Sequence, residues 1–415
     1  MLKRHYDKII AGCCFLFLFA NLGLASTAFS VHQPYIVAIP GVGDSGGSLI
    51  LSVRTAVSLL AMLFVDRYYS VLDVRWGVFL ATLATACGFL VYSFAGSLPV
   101  FLAGAVFLGL GYGLGGMVAV TYIANRWFAG GLGAMIGFAS MGSGVATIVM
   151  PVVVLQIIHA TSLAGAFRFE AALAAAVGAL VVLVLRNRPS DLGIDPYRPA
   201  PDAGGEGKRG GKRSRAHRPM REAPAGEHLL LMVSMTGVGI FSCCAITYIS
   251  VLATSNGFSP VLAALLVSIA GIALTLSKFV TGELFDHLGG AAATAILFAI
   301  GIAGYVLCCA AGLGNAGIMV AGAVLMGAGI SLGSVGVSVW SIDLSSRANR
   351  DREIRNFQVA YAIGAFISNT LPGFIKDAVG TYVASYAAVA AVAALAAFII
   401  LRYYLRYTDR TAAES

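Results

Sequence analysis

Arg54 and Lys278 are the residues whose positions most demand a chemical explanation. Each lies inside a long apolar run, 46–65 for the arginine and 260–282 for the lysine. An ionisable side chain deep in a lipid bilayer costs several kcal/mol or more, so it marks a functional site unless a partner is at hand. With Asp66 and Asp286 taken as the ends of the two helices, Arg54 is roughly 18 Å in and Lys278 roughly 12 Å at 1.5 Å per residue. The two depths bracket the midplane of a hydrocarbon core about 30 Å thick. From there neither side chain extends easily to water, so each must face a wet cavity or hold a counter-ion.

The acids of the chain do not obviously supply that counter-ion. Glu283, Asp343 and Asp66 fall toward one membrane face, and Asp44, Glu170 and Asp377 toward the other. A small anion arriving from solvent would balance the charge, held by the planar fork of the guanidinium and the compact charge of the ammonium. The competing reading caps each cation with helix-end carbonyls, or with a carboxylate reaching up from Glu283 or Asp343. Six further polar residues could line the same cavity: His32, Gln33, Tyr112, Tyr248, Tyr361 and Asn369. Each also reads as ordinary interhelical or interfacial packing. His32 falls near an outer end, where solvation explains it. Glu283 and Asp343 could carry protons, or pair with the arginines after residue 346.

These residues must be positioned by helices in lipid. Of 415 residues, 59% are hydrophobic and 11% charged, against roughly 45–50% and about 25% in soluble domains. The 50 glycines suit close helix packing, and runs of about 20 residues exclude a barrel of short alternating strands. Six spans are predicted before residue 186, at 9–37, 46–65, 76–95, 98–124, 132–158 and 162–185. Six more follow at 229–252, 260–282, 290–311, 315–344, 354–375 and 382–405. The expected fold is therefore all-α, with twelve transmembrane helices in two six-helix bundles, 1–185 and 229–405. Between them, 186–228 is rich in charge, Pro and Gly and reads as a flexible linker; 406–415 reads as a tail.

All but four of the 27 Lys and Arg fall on the side of the termini and linker. Arg168 and Lys376 lie opposite, and Arg54 and Lys278 lie within spans. The positive-inside rule puts both termini and the linker in the cytoplasm of a multi-pass protein of the cell membrane. The net charge of +8 is mostly this bias, so no nucleic-acid partner is called for. Lys3, Arg4 and Lys8 ahead of the first run suit a retained helix better than a cleaved signal. All seven cysteines lie in apolar runs without metal-ligand spacing, so neither a metal nor a disulfide framework is expected. Gly109, Gly111, Gly113, Gly115 and Gly116 lack the flanking strand and Lys-Ser/Thr of a phosphate loop, so they read as positions of close packing or of helix flexing. No cofactor is called for, nor is enzymatic chemistry.

Asp66-Arg67 closes the second span, and Gly282-Glu283-Leu284-Phe285-Asp286-His287-Leu288-Gly289 closes the eighth. A loop motif recurring at corresponding places in six plus six helices resembles the major facilitator superfamily. That resemblance implies pseudo-symmetric bundles, a site near the midplane between the halves, and alternating access gated at Asp66, Arg67, Gly282 and Asp286. Ala124-Asn125-Arg126-Trp127-Phe128, with Leu132-Gly133, Gly137, Ser140, Gly142 and Gly144, is similar to the oxalate/formate antiporter and monocarboxylate transporter family. So are Arg188-Pro189-Ser190-Asp191-Leu192-Gly193-Ile194-Asp195-Pro196-Tyr197 and Arg355-Asn356-Phe357, and the resemblance adds Arg126 to the inner gate.

Lys278 stands eight residues before Asp286, where this family places a substrate-binding arginine. The lysine that its oxalate carriers add on helix eleven is here Gly364. Since helices 2 and 11 are neighbours in the superfamily, the resemblance suggests that Arg54 restores that charge. Monocarboxylate carriers place an acid one turn before the helix-eight cation, and Leu274 stands there, which favours exchange or a proton site elsewhere. The implied function is secondary transport of a small organic carboxylate such as oxalate, formate or lactate, as exchanger or proton symporter. Nitrate-like oxyanion transport and a non-transporting anion receptor remain as alternatives. The repeats need no second subunit, so a monomer is expected.

Overall fold

The structure, a computed structural model, describes residues 6–128, 132–194, 197, 224–344 and 350–407. Most of the stretch expected as a linker, Arg347 and the tail from residue 408 lie outside the described residues, as do the side chains of Asp66, Asp286 and Arg355. The described residues form helices joined by short turns, with one isolated bridge between Phe128 and Tyr197 and no longer strand pairing among them. Among the described residues, ten helical stretches are long and apolar enough to cross a membrane. A shorter apolar helix, Leu98–Leu114, and a 30-residue helix with a charged start, Arg350–Val379, accompany them.

The chain divides into two compact units, the first comprising 1–201 with 259–268 and the second 202–258 with 269–415. In the first, α1 (Tyr6–Leu18) runs into a π-helical stretch, Phe19–Thr27, then a 3-10 turn, Ala28–Val31, and α2 (Gln33–Val37). After it come α3 (Gly43–Leu63), α4 (Val65–Val71), α5 (Val74–Tyr92), α6 (Leu98–Leu114), α7 (Met117–Trp127), α8 (Leu132–Ala160) and α9 (Leu163–Val184). Polar caps are sparse, as expected where hydrophobic matching to lipid rather than capping sets helix length. Ser162 is an exception, accepting from the Gly165 amide at the start of α9.

The glycine run on α6 serves close packing, as the sequence implied. A Cβ on Gly109 would meet the Arg54 carbonyl oxygen of α3 at 2.6 Å, and one on Gly113 the Ser58 carbonyl oxygen at 2.6 Å. Gly111, on the opposite side, faces Thr85 of α5. The helix breaks at Gly115-Gly116, and the buried Asn21 of the π-helical stretch donates to the Gly115 carbonyl at 3.2 Å. Asn21 also joins Thr82 and Thr85 at 3.0 and 2.7 Å.

The second unit contains α10 (Ala225–Ser255), α11 (Pro260–Leu288) from residue 269 onward, α12 (Gly290–Cys309) and α13 (Ala316–Gly329). A 3-10 turn at Ile330–Gly333 leads into α14 (Val335–Asp343), followed by α15 (Arg350–Val379) and α16 (Val383–Tyr407). Here α10 packs on α15 and α16, and α12 on α13 and α16.

Two expectations change. The segment 282–289 is not a loop: α11 continues to Leu288 because nothing in it breaks a helix before Gly289, whose φ of +82° does. The first-half counterpart differs, since α3 stops at Leu63 and Asp66-Arg67 begin a separate short helix. The start of the expected linker is folded rather than loose. Pro189–Leu192 forms a 3-10 turn closed by Asp191 accepting from the Arg188 amide at 3.0 Å, and Gly193 ends it with φ of +66°.

Candidate functional site

Lys278 is carried on α11 by a turn whose neighbours are tightly held. Ser277 donates to the Ala328 carbonyl at 2.8 Å and reaches Ser331 at 3.2 Å, while Thr281 lies 2.7 Å from Ser331. These hydroxyls pin α11 to the 3-10 turn that interrupts α13 and α14, a broken helix of the kind that lines binding sites in membranes. Gly271 and Phe285, seven residues to either side of Lys278, lie within about 20° of it around the helix axis, and both are buried. The lipid-type face is elsewhere on the helix, at the exposed Ile272, Leu276 and Val280. Yet Lys278 itself is exposed. Lys278 thus combines a place on the packed face of α11 with an exposed side chain.

Arg54 is arranged differently. It is 6% exposed, and its guanidinium donates to the Ala25 carbonyl at 2.6 Å. Ala25 belongs to the π-helical stretch of the first span, and such irregular turns present carbonyls to side-chain donors. The carbonyl-capped reading of this cation therefore holds at Ala25. The helix-eleven position has its own constraint. A Cβ on Gly364 would stand 2.0 Å from the Thr236 carbonyl and 2.9 Å from the Gly239 Cα, so this position faces α10 and has no room for a side chain.

The tyrosines divide. Tyr248 is fully buried and donates to the Asn369 backbone carbonyl at 2.7 Å, a staple between α10 and α15 in which the Asn369 side chain takes no part. Tyr361 is half-buried, with its hydroxyl 3.6 Å from the Cys243 sulfur, and a Cβ on Gly333 would meet that hydroxyl at 2.9 Å and Ser242 Oγ at 2.3 Å. The 3-10 turn thus touches Ser277 and Thr281 through Ser331, and Ser242 and Tyr361 through Gly333. Tyr112 is half-buried near the end of α6.

His32 overturns the solvated reading, and its neighbour Gln33 is buried with it. Their exposures are 0% and 1%, and His32 stacks on Phe167 with ring centroids 4.7 Å apart. The chain buries them because the first span ends in a 3-10 turn that folds under Phe29 rather than running out to the surface.

Among gate candidates, Arg67 and Glu283 are exposed, Gly282 is half-buried within α11, and Asp66 and Asp286 are placed in helices. Asp343 accepts from the Tyr404 hydroxyl at 3.1 Å. Arg126 is half-buried at the end of α7, beside a lock that joins two of the segments singled out in the sequence. Trp127 stacks on Tyr6 at 5.3 Å and donates to the Arg186 carbonyl at 3.1 Å, while the Tyr197 amide donates to the Trp127 carbonyl at 2.8 Å.

Sequence reasoning missed three groups: Asn21, the Ser277-Thr281-Ser331 cluster, and Glu170 as the partner of His32 at 2.9 Å. The first two are visible as polar residues in apolar runs. The third joins two residues far apart in the chain, and only the fold brings them together. Among the described residues no cluster of His, Cys, Asp and Glu has metal-binding geometry.

Residues 13–313 and 229–415 match the family model of the Major Facilitator Superfamily. No curated protein sequence matches the chain. Several solved structures are similar in fold. A bacterial homolog of the human lysosomal transporter Spinster, inward-facing and unoccupied, has a TM-score of 0.67 at 14% identity, with 97% of this chain and 98% of that one covered. The nucleoside transporter NupG gives 0.70 at 12%, covering 97% and 99%. A D-xylose-proton symporter gives 0.65 at 16%, covering 95% and 96%.

Proposed function

The chain belongs to the Major Facilitator Superfamily, a multi-pass membrane family of transporters, and we propose that within it this protein is a secondary transporter of small organic carboxylates. The observation that carries the reading is Lys278, an accessible cation on the packed face of a spanning helix. An ammonium in low dielectric attracts a compact anion, and neighbouring hydroxyls such as Tyr361 add the directional bonds that an organic carboxylate can use. Arg54 is given a supporting role: it braces the π-helical stretch through Ala25, while its positive charge raises the potential for anions.

The finer architecture belongs to the same reading. Twelve spans arise if Leu98–Leu114 with α7 and Arg350–Val379 each cross once. The bundles would then be 1–185 and 229–405, joined by a cytoplasmic linker, with both termini inside the cell membrane and a monomer as the working unit. Nucleosides and D-xylose, named for two similar structures, are neutral, and a lysine gives them no charge to meet. Nitrate is the second reading, because a cation that selects by charge alone would accept it.

The test is thermal stabilisation of purified wild-type and Lys278→Gln protein by oxalate, formate, lactate, malonate, succinate and nitrate at one pH. A ligand at about 100 times its dissociation constant should stabilise by roughly 2.7 kcal/mol. Stabilisation by a carboxylate that vanishes in the variant is the expected result; an equal response in the variant would make Lys278 structural. In the same panel Arg54→Gln should start from a lower midpoint, having lost the bond to Ala25, and still respond to ligand.

A further inference from the structure

The first unit contains an ionisable pair that anion binding does not use. His32 Nε2 and Glu170 Oε2 are 2.9 Å apart, and both side chains are 0% exposed. Glu170 is seven residues into α9, about 10 Å along its axis. His32 is sandwiched by Phe167 at 4.7 Å and Phe29 at 5.3 Å, and its other nitrogen lies 3.3 Å from the Phe29 carbonyl. Nothing about packing requires these two groups there, since an apolar pair of the same volume would fill the space without the cost of desolvation.

The surroundings are polar and underused. The approach of Nε2 to the carboxylate is off the line of a hydrogen bond, so both Glu170 oxygens keep free acceptor capacity among the described residues. The Tyr92 hydroxyl and both ends of the Gln33 carboxamide are likewise buried without a hydrogen-bond partner among them. Tyr92 touches the same Phe29 and Phe167 rings, at 5.7 and 5.3 Å. Buried polar groups are ordinarily satisfied, and a buried carboxylate with unused acceptor capacity beside an imidazole marks a place that can exchange something.

We propose that His32 and Glu170 form a proton-binding site, so that carboxylate transport is coupled to a proton; this rests on the function proposed above. The pair is net neutral with one proton between imidazole and carboxylate plus the one the neutral ring always keeps, positive with a further proton and negative with none shared. In a dry interior the neutral form is the least costly. With both side chains closed off from water, a proton bound there can leave only when the surrounding helices open. That is the requirement for a coupled step.

Other charged or titratable groups on the surrounding elements are few. α5 contributes Tyr92 and Cys87, with Arg75 at its far end; α3 contributes Asp44 and Arg54; α8 contributes His159, 3.4 Å from the Tyr35 hydroxyl. Arg168, on α9 itself, is exposed over the Phe94 ring. At the opposite end of α1 lie Tyr6, Asp7, Lys8, Cys13 and Cys14. The direct contact with Glu170 is made by His32.

The experiment uses liposomes containing the full chain, with labelled carboxylate outside and the interior made alkaline by one pH unit. For one proton per substrate that gradient is worth about tenfold in accumulation. Wild type is expected to show that rise, and the ratio of uptake with to without the gradient should fall to about one in Glu170→Gln and His32→Gln, with ligand-induced thermal stabilisation as the check on folding. Wild type that exchanges carboxylate against a preloaded pool but ignores the gradient overturns the proton site alone. Absence of both exchange and net uptake overturns the carboxylate reading instead. Variants that keep the gradient response move the proton elsewhere, with Glu283 and Asp343 next in line. Should neither neutral variant fold, Glu170→Asp keeps the acid and withdraws it from His32; it should shift the pH midpoint of wild-type uptake, and an unchanged midpoint would overturn the proposal.

Discussion

Replacing Lys278 by glutamine is expected to lower carboxylate uptake by at least about 30-fold, the equivalent of losing one charge-assisted hydrogen bond of about 2 kcal/mol. The fold should survive. Lys278 is exposed and its neighbours Ser277 and Thr281 make their bonds to Ala328 and Ser331 without it. Removing a charge from the middle of a span should if anything raise stability without ligand. Lys278→Arg should retain most of the activity, because the charge and the reach are kept, with altered selectivity among carboxylates from the planar fork. Uptake by the glutamine variant within about threefold of wild type, a difference worth less than about 1 kcal/mol, would remove Lys278 from the site.

The second large effect concerns Gly364. Its added Cβ would meet the Thr236 carbonyl at 2.0 Å, and the reciprocal Cβ on Gly239 would meet the Tyr361 carbonyl at 2.1 Å. Both obstacles are backbone atoms, which cannot rotate aside as a side chain can. Gly364→Ala should therefore push α10 and α15 apart and cost about 3 kcal/mol, the upper end for overpacking. The readout is the thermal midpoint of the purified protein without ligand; a midpoint equal to wild type would mean that the two helices do not meet here. The same geometry explains why no lysine stands at this position. A charge there would have no cavity to enter, so the missing cation is a packing requirement rather than a lost function.

The spans are legible because apolar runs of this length have few other physical outcomes, and the structure follows several of them, from 260–282 extended to Leu288 to 162–185 realised as Leu163–Val184, while it breaks 9–37, 98–124 and 315–344 into shorter helices. Lys278 and Arg54 are legible for the same reason, as charges where charge is costly. What each cation touches is not. Arg54 finds Ala25 because the first span turns π-helical, and hydropathy carries no signal for that change of pitch. His32 reads as a residue at the water's edge because it stands near the outer end of the run 9–37, yet the 3-10 turn at Ala28–Val31 folds it beneath Phe29 and against Glu170. The motif at 282–289 reads as a loop from its resemblance, while its composition of Glu, Leu, Phe and Asp suits a helix until Gly289. Local pattern sets the elements, and long-range packing decides which polar groups become partners.

Accumulation is the most direct test of carboxylate transport. Purified protein reconstituted in liposomes preloaded with one unlabelled carboxylate would be given labelled oxalate, formate, lactate, malonate or succinate outside, with nitrate in parallel. At least one carboxylate should enter and accumulate above its external level, the same anion should be the one that stabilises the protein, and Lys278→Gln should abolish its entry. Accumulation of nitrate with no carboxylate, or binding of a carboxylate without any entry, would show that this protein is not a carboxylate carrier.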